Sequence, residues 1–276
     1  LLEKERPKHF KKMELDLEAI DINQSFFYLS SEGTRPDTRN VLLQFSRMGK
    51  FMKAIYMPEN FRQGDTTGTR NNKGIEGLSI IPGNDTEFFT AIEHPLLQDQ
   101  KVYKIEDSAS LRISKIKAHR TKNPEFLYIM KPAIAPKAIT GEVKFSHKAL
   151  VSLQAIDEYR FLSTEVTFFL YPGIAHDRIE IFLNDIRGAE DVSSTSSLRS
   201  SKELPSAVKK TLLFDSEKVH HKFPKDIRMF ENFEGMTFGP DIDEDHHSLI
   251  LVSDNNFSDK QRTIFLVLKL EKTALK

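Results

Sequence analysis

Residues 73–95, KGIEGLSIIPGNDTEFFTAIEHP, decide how the rest of the chain is read. Glu76 stands before a glycine and a short apolar run; a Pro-Gly-Asn-Asp turn follows, then a second apolar run that closes on Glu93. Two runs rich in β-branched and aromatic residues, joined by such a turn, predict a β-hairpin. The plan recurs. LEAIDINQSFFYLSSEG opens on Glu18 and closes on Glu32, and FEGMTFGPDIDEDHHSLILVSDNN carries Glu234 and Asp254. A degenerate copy, KALVSLQAIDEYRFLSTEV, places Ala149 where the opening glutamate is expected and keeps Glu165 at its close.

Each copy runs on into further strand-like segments. NVLLQFSRMG and FMKAIYMP follow the first, LRISKIKAH and EFLYIMKP the second, RIEIFLND and VKKTLLFD the third. Four strands per unit, repeated, predict an all-β protein: a β-propeller of four-stranded antiparallel blades. The fourth unit has three, ending in TIFLVLKLE, and the completing strand is expected from FKKMEL near the N-terminus or from residues upstream of Leu1. Four blades are readable, at the low end of the known range. The chain, residues 1–276, therefore reads as one propeller domain whose N-terminal blade is incomplete, with five or six blades in the complete protein.

Composition narrows the functional classes. Forty basic and forty acidic residues cancel, so nothing in the charge draws the chain to nucleic acid or an anionic membrane. Absence of cysteine excludes disulfides, thiolate metal sites and cysteine nucleophiles. No apolar run approaches the roughly 20 residues of a membrane span. G-x-S-x-G elbows, H-E-x-x-H helices and phosphate-cradling glycine loops are all missing from the sequence. The serine-rich stretch at residues 191–206 has little to bury and reads as an exposed loop.

The two ends of a hairpin lie side by side, so Glu18 with Glu32, Glu76 with Glu93, and Glu234 with Asp254 are expected in pairs. In a propeller the first strand of each blade lines the axial channel, which gathers these acids at one mouth, with Glu165 as a seventh. So many carboxylates need a cation, protonation or basic neighbours. A hard, oxygen-seeking ion suits them: Ca2+ first and Mg2+ second, with the Asn255 and Asn256 amides as further ligands. Arg70, Lys73, Lys209, Lys210 and Arg262 flank the repeats and are candidates to neutralise the acids or hold an anionic substrate. His94, next to Glu93, is the candidate general base beside Glu76 and Glu234. The pairs His220-His221 and His246-His247 fall in polar, turn-like stretches and read as solvated.

The segments around Glu76 and Glu234, together with VKKTLLFD and DLEAIDINQSFFYLSSEG, resemble the phytase-like domain of the family called esterase-like activity of phytase. The resemblance runs from Asp16 to Leu270 and is most specific toward the C-terminus. It implies a propeller, usually exported in bacteria (secreted or periplasmic), with one further N-terminal blade. It also implies metal-assisted hydrolysis of a phosphate or carboxylic ester, with Glu18, Glu76, Glu234 and Asp254 able to hold the cation. A non-catalytic propeller that binds a protein partner within an envelope or extracellular assembly is the competing expectation.

Overall fold

Period-two alternation of apolar and polar residues lets a strand bury one face or both. The computed structural model describes residues 15–32, 39–136, 139, 141–200, 203–223, 231–259 and 261–276, and half-buried and fully buried strands both occur there. Blade 1 is β1 (Leu17–Ile22), β2 (Phe26–Ser31), β3 (Val41–Ser46) and β4 (Phe51–Tyr56); blade 2 is β5 (Ile75–Ile80), β6 (Glu87–Ile92), β7 (Ala109–Lys117) and β8 (Glu125–Met130). Blade 3 is β9 (Phe145–Ala155), β10 (Arg160–Tyr171), β11 (Ile174–Asp185) and β12 (Lys209–Asp215); blade 4 is β13 (Asn232–Phe238), β14 (His246–Asp254) and β15 (Phe265–Glu271). Within each blade the strands pair antiparallel in chain order, and the four sheets stand in a ring. Most of the segment expected to complete blade 4, residues 10–14, lies outside the described residues.

The core lies in the seams between blades. Tyr28, Phe61, Ile75 and Phe88 fill the seam of blades 1 and 2. Phe89, Tyr128, Leu153 and Phe161 fill that of blades 2 and 3, and Val151, Ile179, Phe233 and Leu251 that of blades 3 and 4. Strand β6, sandwiched on both faces, is buried along its whole length. The first strands β1, β5, β9 and β13 stand in sequence around the axis. Polar side chains tie three of them together: Asp21 accepts the Ser79 hydroxyl (3.1 Å) and the Ile80 amide (2.7 Å), while Ser79 Oγ accepts the Ala155 amide (2.9 Å). Ile20 of β1, and Phe265 and Val267 of the outermost strand β15, are 66%, 70% and 57% exposed.

Residues 191–200 and 203–206 are mostly exposed, as their serines predict, but the segment is fastened at a few points. Val192 and Leu198 are buried against Leu127 of blade 2, and Asp191 bridges to Phe126 beside β8. Fully buried Arg112 donates to the Val192 and Thr195 carbonyls at 3.2 and 2.9 Å, and is held by Asp99 and Glu125. Two apolar residues and one buried arginine are enough to fasten an otherwise polar segment onto the neighbouring blade.

Candidate functional site

Strand register explains why a glutamate opens each repeat. In β5, Ile75 pairs with Ile92 and Gly77 with Ala91, so Glu76 is an extra residue: a β-bulge. In β13, Phe233 pairs with Ser253 and Gly235 with Val252, which makes Glu234 the bulged residue. In β1 the register slips between Leu17 and Ile20, where Glu18 sits. A bulge re-aims its side chain, and these three carboxylates, with Asp254, line an axial cavity of about 490 Å3. The residue after each glutamate is small because neighbours crowd it: a Cβ on Gly235 would lie 2.4 Å from Val252 Cγ1, and one on Gly77 would lie 2.7 Å from Leu153 Cγ.

Register also corrects the third repeat. Thr164 pairs with Ser152 but Glu165 with Leu150, so Val151, not Ala149, is the bulged residue of β9. Glu165 then corresponds to Ile92 and Ser253, and the place of Glu93 and Asp254 falls to Val166. Among the described residues blade 3 therefore adds no carboxylate to the lining of the axial cavity. One step along a strand turns a side chain to the other face, and Glu165 is buried in the blade 2–3 seam between Lys148 (2.9 Å) and Lys210, accepting the Tyr128 hydroxyl at 2.7 Å. Burial alone would raise its pKa, but the two lysines hold it below the usual range. Lys210 belongs to this knot, its Nζ 4.0 Å from the Tyr128 ring centroid, on the outermost strand of blade 3 rather than at the channel.

At the mouth, carboxylates crowd one another. Burial, reinforced by Glu32, Asp16 and Glu234, pushes the Glu18 carboxyl up to about 8. Glu76 is driven well above the carboxylate range by burial and then by Glu93, Glu18 and Glu234. Burial raises Glu234 too, against a 2.6 Å hydrogen bond from Asn232. Among the described residues neither Glu18 nor Glu76 has an ion-pair partner. Glu32 has a structural duty: Oε2 accepts the Gly74 amide, while Asn40 Oδ1 accepts that of Ile75 at 3.0 Å, and together they clamp the start of β5. Its Oε1 is buried without a partner among the described residues, and its pKa is pushed up to about 7, mainly by burial.

Glu93 is the exception among these acids. Burial would raise it, yet a 2.8 Å hydrogen bond with His147 Nε2 and the Lys73 ammonium, 2.8 Å away, hold it below the usual range. His94 stands beside it, pressed by burial down to about 3. That value is far from the operating pH at which a general base works best. Arg70 donates to the Lys101 (3.3 Å) and Gln100 carbonyls, and Arg262 pairs with Glu231 at 3.0 Å. Asn255 accepts the Phe257 amide in the turn after β14, and Asp254 accepts that of Asn256. His246 and His247 open β14, paired with Asp243 and Asp241.

Three residues escaped the sequence reading. Asp16, Glu18 and Glu32 present ligand atoms within 4.8 Å of one another, as do Glu93, His94 and His147. Asp177 lines a second cavity of about 350 Å3 with Lys73 and His147, and is pushed up to about 7 by burial and by Glu231 and Glu234. A usable signal did exist: aligning KGIEGL with KALVSL sets Lys148 where Lys73 stands, and His147 immediately before it.

A ring of antiparallel blades with carboxylates bulged into its axis defines an acidic-mouthed β-propeller. The chain belongs to the phytase-like family, described as esterase-like activity of phytase, whose model matches residues 1–257. No curated protein and no solved structure matches the chain.

Proposed function

We propose that the channel mouth is a divalent-cation site serving hydrolysis of a phosphate or carboxylic ester. One observation carries this reading: Glu18, Glu76 and Glu234 are turned by bulges onto one cavity, with Asp254 beside them and no counter-charge on Glu18 or Glu76 among the described residues. The donor set fits Ca2+, which takes six to eight oxygens from carboxylates, carbonyls and water. The tightest all-oxygen group is Asp16, Glu18 and Glu32, whose orphaned Oε1 is a ready ligand atom. Glu76, Glu234 and Asp254 complete the negative field around the cavity. Held by these carboxylates, a cation would supply Lewis-acid chemistry: a more acidic water, or a polarised ester oxygen.

The chain's own groups supply the rest. Without metal Glu18 holds a proton near neutrality, and a cation held by these carboxylates would have to displace it. Lys73, at the rim between Glu93 and the second cavity, is placed to take the negative charge of an ester substrate. Export, secreted or periplasmic, accords with the family; no helix among the described residues is long and apolar enough to cross a membrane. That no blade 3 carboxylate is among the described residues lining the axial cavity favours a second reading, a binding propeller whose acids only set its architecture.

Titration calorimetry with Ca2+ separates the two, comparing the wild type with a Glu76→Ala, Glu234→Ala double variant. Binding lost in a folded variant, together with loss of metal-dependent ester turnover, is the expected result. Absence of Ca2+ binding by the wild type would sink the hydrolase reading.

A further inference from the structure

Where blade 2 meets blade 3, a donor set of different chemistry stands beside the carboxylates. Glu93 and His94 follow the end of β6, and His147 lies on β9 of the next blade. Their ligand atoms lie within 4.8 Å of one another. His147 Nε2 is 2.8 Å from Glu93 Oε1, and the two imidazole rings lie 4.8 Å apart, centroid to centroid. His94 is only 9% exposed, yet its Nε2 has no hydrogen-bond partner among the described residues. An unmet ring nitrogen buried in protein costs free energy that a bound ligand would recover. The ring is also fixed in place, edge-on to Tyr103 at 4.9 Å, and Tyr103 donates to the Lys148 carbonyl at 3.2 Å.

We infer that Glu93, His94 and His147 form a two-histidine, one-carboxylate site for a borderline divalent transition metal of the Zn2+ class. Two neutral imidazoles and a carboxylate are the ligands such ions prefer, whereas Ca2+ and Mg2+ prefer oxygen. Lys73 is the stand-in cation: its Nζ lies 3.0 Å from Oε1 and 2.8 Å from Oε2 of Glu93. The flexible lysine chain is partly exposed and can swing away when a metal takes over the carboxylate. His147 and Lys73 also line the second cavity, with Asp177, Asn232, Asn256 and Gln261, which gives the ion a path in and leaves room for water on it. Because its ligands come from two blades, the metal would bolt the blade 2–3 seam. The inference stands apart from the cation bound by Asp16, Glu18 and Glu32.

Cobalt(II) is the probe, since its visible ligand-field absorption separates a low-coordinate site from octahedral all-oxygen binding, and loss of a histidine ligand changes it. The wild type is expected to bind one equivalent with low-symmetry absorption that excess Ca2+ does not remove. His147→Ala, at a partly exposed position, abolishes that absorption while the melting curve still shows a folded protein. A Glu76→Gln, Glu234→Gln variant keeps it. Lys73→Met, which removes the competing ammonium, tightens Co2+ binding roughly tenfold; this arm reads out even if His147→Ala fails to fold. Absorption unchanged in a folded His147→Ala, displacement of Co2+ by Ca2+, or weaker binding by Lys73→Met would each overturn the site.

Discussion

Glu76 shows at the scale of one side chain what the mouth demands. It is partly buried where it lines the axial cavity, and after burial four other glutamates (Glu93, Glu18, Glu234 and Glu32) raise its pKa. A neutral amide of the same shape removes the like-charge repulsion while keeping the bulge. Glu76→Gln is therefore expected to raise the cation-free melting temperature at pH 8 by about 2–4 °C, the effect of roughly 1 kcal/mol in a domain of this size. It should also weaken Ca2+ binding at least tenfold. A fall in melting temperature would mean that the carboxylate is structural. Glu76, Glu234 and Asp254 were legible from repetition alone, because an acid recurring at a strand end survives any uncertainty in register. Glu165 was not. Its place depends on which residue of β9 is bulged out, and Val151 looks like any other buried strand residue until pairing is known.

Among the elements, hairpins and strand order were readable because every strand carries its own apolar run and each connection its own turn residues. What escaped was contact between blades, which sequence patterning does not encode. The staple on residues 191–206 is the clearest instance. Arg112 bonds two carboxylates, Asp99 and Glu125, and two carbonyls of that segment, with no exposure to water. Removing one partner of a buried ion pair strands the other, at a cost of about 3–5 kcal/mol. Arg112→Ala is expected to lower stability by that order in denaturant titration and to open residues 191–206 to limited proteolysis. If the loop stays protected, Val192 and Leu198 hold it unaided. His147 escaped for a related reason: aligning KGIEGL with KALVSL places it one residue before the counterpart of Lys73, but only the packing of β9 against blade 2 brings it to Glu93.

The whole molecule responds to pH through the sum of these carboxylates. Glu18 at about 8, and Glu32 and Asp177 at about 7, lie above the ordinary values of 4.5 for Glu and 3.8 for Asp. A carboxyl whose pKa is raised by folding binds its proton more tightly in the folded state. The stability it contributes is complete below the ordinary value and is lost as pH rises through the folded one. Glu93, held low by His147 and Lys73, acts oppositely and loses its contribution in acid. The metal-free propeller is therefore expected to melt highest in mildly acidic solution, its melting temperature falling steadily from about pH 6 to pH 8.5. A cation at the mouth reverses that limb, since it binds ionised oxygens and must displace the protons they carry. Ca2+ affinity should rise with pH over the same interval. Calorimetry in buffers of different ionisation enthalpy should register proton release on binding, and saturating Ca2+ should flatten the alkaline fall. A melting temperature that climbs from pH 6 to 8.5 without metal would show that the acids are already neutralised within the protein. The cation reading of the mouth would then lose its physical basis.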